Sequence, residues 1–569
     1  MKKHILQYFI IVGLTSLATL LILQVFHFPA TGIDDANITF VYAKNYASGH
    51  GFVYNIGGER VEGFTSLLWV LICAALFKCT SNPEVLIIIT NILLISFGAT
   101  LVFSYLQSLD FVSTDKKYVR PLVWPILYIV VLLSAPAYVA WTTITLMENG
   151  IWSTLLLLTT ILILKDDPAS PKINPLLYPL SAMLLLTRPE SLLWVPVFVG
   201  LVWIRKICGH GTLKSLQMVL PLVGASLLTV ALLLIFRLLY FGFPFPNTYY
   251  AKVSPSILYN LFQGGKYLAK YCISDLVVFV SVISLIIMGV HVILAFVKKH
   301  SINAGSISLV VICCTGLLIP LLTGGDHFGS FRFYQNIYPI LLVCLLHCVR
   351  FLLPLYVHTA PRFLLSRKVI LVGVVLLIAV QGARWIKFDK KSIIAHEFAI
   401  AENGRRDGTF IANLFSNQSC LPKIGVITAG GIKYTYPGEV IDLMGLNNIM
   451  MAHFPGDRKG VKNHAAFEKP VFFKLKPEIV IYEHININCW KYNKDMMRSS
   501  FQNRALKYIF DDTSFTKLYT LAAISRKDME PEEALIGWYL KDYLYKLKKP
   551  NSLNIEMYVY SDNKIGSLL

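Results

Sequence analysis

The chain has 569 residues, 55% of them hydrophobic and only 15% charged, with 52 Lys and Arg against 33 Asp and Glu; its mean hydropathy is +0.59. Soluble domains carry about 25% charged residues, so this composition excludes an ordinary soluble globule, and its apolar content excludes disorder, collagen and coiled coil. The net charge of +19 is read first as basic loops on one side of a membrane and not as a nucleic-acid surface.

Lys2 and Lys3 precede an apolar run from Ile5 to Phe28. It exceeds the ~7–15 residues of a cleavable signal, which points to an uncleaved first span with its N-terminus inside. Further runs near the bilayer-crossing length occur at 85–107, 121–137, 149–164, 216–240, 274–297, 306–323, 336–353 and 367–383. The stretch 175–205 is split by Thr187-Arg188-Pro189-Glu190 and reads as two short spans joined by a tight turn. The run 66–79 is shorter, ends in Lys78, and reads as a re-entrant or interfacial helix. With eleven crossings, about twice as many basic residues fall on the inner side as on the other, as the positive-inside rule requires. Residues 1–383 then form a polytopic helical membrane domain with a first external loop at 28–66, and 384–569 lie outside. In that tail, Ile424 to Ile427 and Glu478 to Tyr482 read as short buried strands of a soluble α/β domain. Ala429-Gly430-Gly431 lacks the spacing of a nucleotide-binding loop and reads as a tight turn, and Ala534 to Lys549 reads as an amphipathic helix. Ten scattered cysteines, none in paired zinc spacing, read as small core residues.

On the side away from the basic loops, Asp34 and Asp35 directly follow the first span. Adjacent carboxylates beside a membrane are costly to desolvate and raise each other's pKa, which suits a general base or a metal ligand as well as a solvated span end. Glu59-Arg60-Val61-Glu62, Met147-Glu148-Asn149, Arg188-Pro189-Glu190, Pro246-Asn247-Thr248-Tyr249-Tyr250-Ala251-Lys252 and Gly324-Gly325-Asp326-His327 with Arg332 fall on the same side. Each has a structural reading as a cap, a local ion pair or a headgroup anchor. Together, carboxylates, cations and aromatics at one membrane face suit a substrate with a phosphate and a lipid tail.

These motifs, in this order, resemble the GT-C superfamily of membrane glycosyltransferases, most nearly the family of the mycobacterial terminal β-1,2-arabinofuranosyltransferase. The resemblance runs from Asp34-Asp35-Ala36-Asn37 through Gly49-His50-Gly51, Val61-Glu62-Gly63-Phe64-Thr65-Ser66 and the later motifs to Ala429-Gly430-Gly431 and Ile441-Asp442-Leu443-Met444-Gly445. Asn37 and His327 stand where the pattern has aromatics, at positions expected near the sugar or the lipid phosphate. The resemblance implies a GT-C fold in a bacterial inner membrane, a polyprenyl-phosphate sugar as donor and an envelope glycan as acceptor, with no nucleic acid. It makes Asp34 the general base, with Asp35 orienting it or binding acceptor. Arg332, Lys252 and, third, Arg188 are expected on the donor phosphate. Glu148, Glu190 and Asp326 are expected to hold sugar hydroxyls or position those cations, and Glu62, Asn247, Tyr249, Tyr250 and His327 to line the substrate. Some members hold a divalent cation on acidic loop residues; here the expectation is no metal and no other cofactor. The alternatives are a transferase of the same superfamily acting on lipid A, O-antigen or protein, and a transporter or flippase for a lipid-linked sugar.

Overall fold

A computed structural model describes residues 2–109, 122–254, 256–298, 303–357, 393–456, 464–486, 494–526, 533–547, 555–561 and 564–568, with isolated positions between 373 and 388 and between 458 and 461. The N-terminal two thirds are helical. Lys2–Val25 (α1), Asp34–Ala47 (α2), Leu67–Cys79 (α3), Glu84–Gln107 (α4), Val123–Leu133 (α5), Asn149–Lys165 (α6) and Leu177–Thr187 (α7) lead to Ser191–His210 (α8) and Thr212–Tyr240 (α9). Asn247–Lys252 (α10), Ile257–Cys272 (α11), Leu276–Val297 (α12), Ala304–Leu322 (α13) and Tyr338–Val357 (α14) follow.

Six of these, α1, α4, α8, α9, α12 and α13, are long and apolar enough to cross a membrane, or seven spans if α5 and Pro136–Ile144, bent by 71°, are one. The expectation of eleven crossings is therefore met in part. Helix α3 has 13 residues, about 20 Å at 1.5 Å per residue, short of the ~30 Å hydrocarbon core. Helices α6, α7 and the described part of α14 are also apolar but shorter, and 367–383 lies largely outside the described residues. The break after α5 falls where Pro136 opens the next helical piece, since proline has no N–H to continue the ladder. Helices α9 and α12 leave Leu228, Leu232, Leu239, Ile286, Ile293 and Phe296 exposed, an apolar surface of the kind a membrane-embedded helix turns to lipid.

The C-terminal part begins with Ile393–Leu414 (α15). Its seven strands are Ile424–Val426 (β1), Val440–Asp442 (β2), Ile479–Asn486 (β3), Tyr519–Arg526 (β4), Glu533–Leu540 (β5), Ile555–Ser561 (β6) and Lys564–Leu568 (β7). They form one sheet in the order β2-β1-β3-β5-β4-β6-β7, parallel from β2 to β3 and antiparallel beyond. The two strands read from sequence are β1 and β3. The amphipathic helix read at 534–549 is corrected: its first half is β5 and only Lys541–Leu547 is helical. Strand β5 lies between β3 and β4, and a central strand covered on both faces shows an unbroken apolar run instead of alternation.

Two short helices, Gly431–Thr435 (α16) and Ile449–His453 (α17), bring this domain onto the loop after α2. Asn55 pairs with β2 as a strand would: its side chain donates to the Val440 carbonyl at 2.9 Å and accepts from the Val440 N–H at 3.0 Å. The Tyr54 hydroxyl donates to the Ala429 carbonyl at 2.6 Å, the Tyr42 hydroxyl to Asn447 at 3.1 Å, and Glu59 accepts the Ile449 N–H at 3.0 Å. Arg405 on α15 donates to Asn37 at 2.7 Å, pairs with Glu84 at 2.7 Å and lies over the Tyr434 ring at 4.1 Å.

Candidate functional site

Asp34 and Asp35 open α2, where unpaired N–H groups favour negative charge. Adjacent helical residues point about 100° apart, and that rotation separates the two carboxylates. Asp34 is 6% exposed and turns to the C-terminal domain, accepting the Gly430 N–H at 3.0 Å and the Gly431 N–H at 2.7 Å. Burial pushes its pKa up to about 6, with the two N–H bonds pulling the other way and Asp35 and Asp442 adding to the rise. Asp35 stays open, its side chain 22% exposed, with Lys252 Nζ at 3.4 Å and Arg332 Nη1 at 4.0 Å. Burial works against its charge, but Lys252, Arg332 and His327 outweigh it and hold the carboxyl below the usual range.

The cations are themselves anchored. Arg332 Nε lies 2.6 Å from Asp326, and its guanidinium packs over Phe328 at 4.4 Å and Phe333 at 4.9 Å. The turn that delivers it holds two non-glycine residues in the left-handed region, Ser330 at φ 57° and Phe331 at φ 56°. Such positions cost about 1 kcal/mol or more each and persist where their surroundings fix them. Here the Trp141 indole donates to the Gly329 carbonyl at 3.1 Å and Gln335 donates to the Ser330 carbonyl at 2.7 Å. His327 sits against the same carboxylate, Nδ1 at 3.3 Å from Asp326. Asp326 is buried, yet Arg332 and His327 hold it far below the ordinary carboxylate range.

One member of this cluster was not anticipated. Glu397 on α15 faces it, and burial, then the charges of Asp35, Asp34 and Asp326, push its pKa up to about 8. Helix α15 packs against both α2 and the 329–331 turn. The sequence signal was present: Glu397 falls on the helical stripe of Ile394, Phe398 and Ala401, all fully buried, where an acidic residue is out of place.

Asp35, Lys252, Asp326, His327 and Arg332 thus converge, with Asp34 alongside. Other expected substrate residues do not join them. Glu62 is buried and holds Arg237 by both oxygens at 2.9–3.1 Å. The Asn247 amide donates to the carbonyls of Gly445 at 2.7 Å and Leu446 at 3.1 Å. Arg188 is clamped between Glu148 and Glu190, the latter at 2.8 Å. A guanidinium already paired with two carboxylates has little charge left for a phosphate, and Glu148 and Glu190 are equally committed. This triad abuts the site through Phe333, over which Arg188 lies at 5.3 Å. Tyr249 and Tyr250 belong to an aromatic group with Phe245 and His453, Tyr250 and His453 having centroids 4.1 Å apart. Asn37 is hydrogen-bonded to Arg405 and to the carbonyls of Thr31 and Ile33. Asp442 is a buried cap for the Met444 and Asn447 N–H groups.

Among the described residues no three His, Cys, Asp or Glu side chains are grouped to hold a metal ion. No family model and no curated protein matches the chain.

Proposed function

We propose that this chain is a polytopic GT-C-type glycosyltransferase of a bacterial inner membrane. Its N-terminus is cytoplasmic, eleven segments cross the bilayer, and the C-terminal domain is external. It moves a sugar from a polyprenyl-phosphate donor to a hydroxyl of an envelope glycan. The observation that carries this reading is the open carboxylate of Asp35 facing Lys252 at 3.4 Å and Arg332 at 4.0 Å. A phosphodiester monoanion bound between the two cations neutralises the charges that hold Asp35 acidic, so donor binding itself makes Asp35 a better base. Asp35 takes the proton of the acceptor hydroxyl as its oxygen bonds to the anomeric carbon. The carbon–phosphate oxygen bond breaks on the opposite face, and Lys252 and Arg332 stabilise the departing phosphate. A single displacement inverts the anomeric carbon. Asp34, with both oxygens given to Gly430 and Gly431, positions α2 and leaves the proton transfer to its neighbour.

The test is mass spectrometry of envelope glycans from a strain lacking the gene, complemented with wild type or with Asp35→Asn, membrane levels being matched. Loss of a sugar that wild type alone restores is the expected result; full restoration by Asp35→Asn overturns the assignment. In vitro, Lys252→Met is expected to raise KM for the donor about 10-fold or more, the worth of one charge-assisted hydrogen bond, with a smaller change in kcat.

Glu397 adds a pH dependence. With its carboxyl up at about 8, it is neutral at pH 7 and ionises above 8, placing another negative charge beside the bound phosphate. Donor KM is expected to rise above pH 8 in wild type and to stay level in Glu397→Gln. The folded chain also binds this proton more tightly than the unfolded one, so this group's contribution to stability falls as pH rises toward 8. Thermal midpoints of wild type and Glu397→Gln should therefore diverge in the alkaline direction.

A further inference from the structure

A cleft of about 420 Å³ opens between residues 55–59 of the first loop and the C-terminal domain, away from the Asp35 cluster. Its lining includes Glu59, Lys433, Glu439, Asn448 and Met450, with Gly57 and Gly58 offering bare backbone. The volume falls within the roughly 300–1,000 Å³ of small-ligand sites. The cleft is held in shape from both sides. Asn55 is fixed to Val440 and Glu59 to the Ile449 N–H. Lys433 is only 8% exposed, donating to the Gly438 carbonyl at 2.8 Å.

The chemistry of the lining selects the ligand. Glu59 supplies one carboxylate and Glu439 another, the latter paired with Lys423 at 2.9 Å; they disfavour a phosphate or an acidic chain, and the ammonium of Lys433 disfavours a cation. The carboxylates, the Asn448 amide N–H₂ and the exposed Gly57 backbone together offer acceptors and donors, the complement of adjacent hydroxyls. The cleft also shares its wall with the candidate site: Lys433 lies in α16, whose first N–H groups hold Asp34. We propose that this cleft is a saccharide subsite, taking a neutral mono- or disaccharide unit of the acceptor glycan at a distance from the hydroxyl that reacts. The assignment of that saccharide as acceptor rests on the transferase reading; the binding of a neutral saccharide does not.

The experiment uses the full chain in lipid nanodiscs and, as probe, neutral oligosaccharides released from the host envelope and fractionated by size. Binding is read by saturation-transfer NMR for wild type, Asp35→Asn, Met450→Trp, which fills the cleft, and Glu439→Gln, which leaves its shape unchanged. Wild type and Asp35→Asn are expected to bind equally. Met450→Trp should lose the signal, and Glu439→Gln should weaken it about 10-fold through one charge-assisted hydrogen bond. Inorganic phosphate should not compete. If neither cleft variant alters binding, or if wild type binds none of the oligosaccharides, the subsite is overturned. If Met450→Trp fails to fold, Glu439→Gln alone decides. Saccharide binding that depends on the cleft, in a chain that transfers no sugar, would overturn the transferase reading and leave the subsite standing.

Discussion

Asp35→Asn is expected to slow transfer by about 10²–10⁴-fold, the range for removing a general base, with the donor bound as well as before or better. The substitution keeps the shape of the side chain and removes the negative charge that Lys252 and Arg332 now face, so the donor phosphate loses its competitor for those cations. A fall in kcat with an unchanged or lower donor KM is the signature. Asp34→Asn should behave differently. It loses one of the two acceptors for Gly430 and Gly431 and puts an N–H₂ group against a backbone N–H. The main effect should be a lower thermal midpoint, with activity lost in proportion to folded protein. If instead Asp34→Asn abolishes turnover at full stability while Asp35→Asn stays active, the two carboxylates exchange roles.

Gly430→Ala carries the largest expected effect on stability. A Cβ at this position would drive into the Asp34 backbone carbonyl and crowd its carboxylate. The contact is with backbone, so α2 and the 429–431 turn must separate. Both N–H bonds to Asp34 are then lost, and a buried carboxylate is left without partners, at about 3–5 kcal/mol. Because Asp34 and Asp35 share one helical turn, the same displacement moves Asp35 away from Lys252. Hydrogen exchange should show faster exchange of the 429–435 and 34–40 amides in Gly430→Ala, with the amides of α4 and α13 unchanged. Wild-type protection in both segments would mean that the turn accommodates the methyl group and that the close approach is not required.

The long apolar runs were legible in the sequence, because a helix facing lipid must be apolar over its length and nothing else in a chain looks like that. The direct parallel pairing of β1 with β3 was not, since strand order depends on contacts between distant residues. Asp35, Lys252, Asp326, His327 and Arg332, singled out from the sequence, lie together in the fold. What sequence could not separate was a buried acid that closes a loop from one that anchors a cation of the cluster. Glu62 and Asp326 are both buried acids beside an arginine, but Glu62 closes a loop against α9 whereas Asp326 sets the cation that Asp35 faces. Glu397 and Arg405 lie on one amphipathic helix, and their roles emerge only once α15 is seen packed on α2.

The two hydrogen bonds from Asn55 to Val440 have a consequence for handling the protein. Strand β2 is the last in its sheet, and Asn55 occupies the backbone groups through which another chain could add. A fragment begun at residue 393 would leave that edge bare and, with it, the Ala429 and Asn447 groups that Tyr54 and Tyr42 bond. Such edges recruit strands from neighbouring molecules. The excised domain should therefore self-associate, and tying it to residues 28–66 should keep it monodisperse.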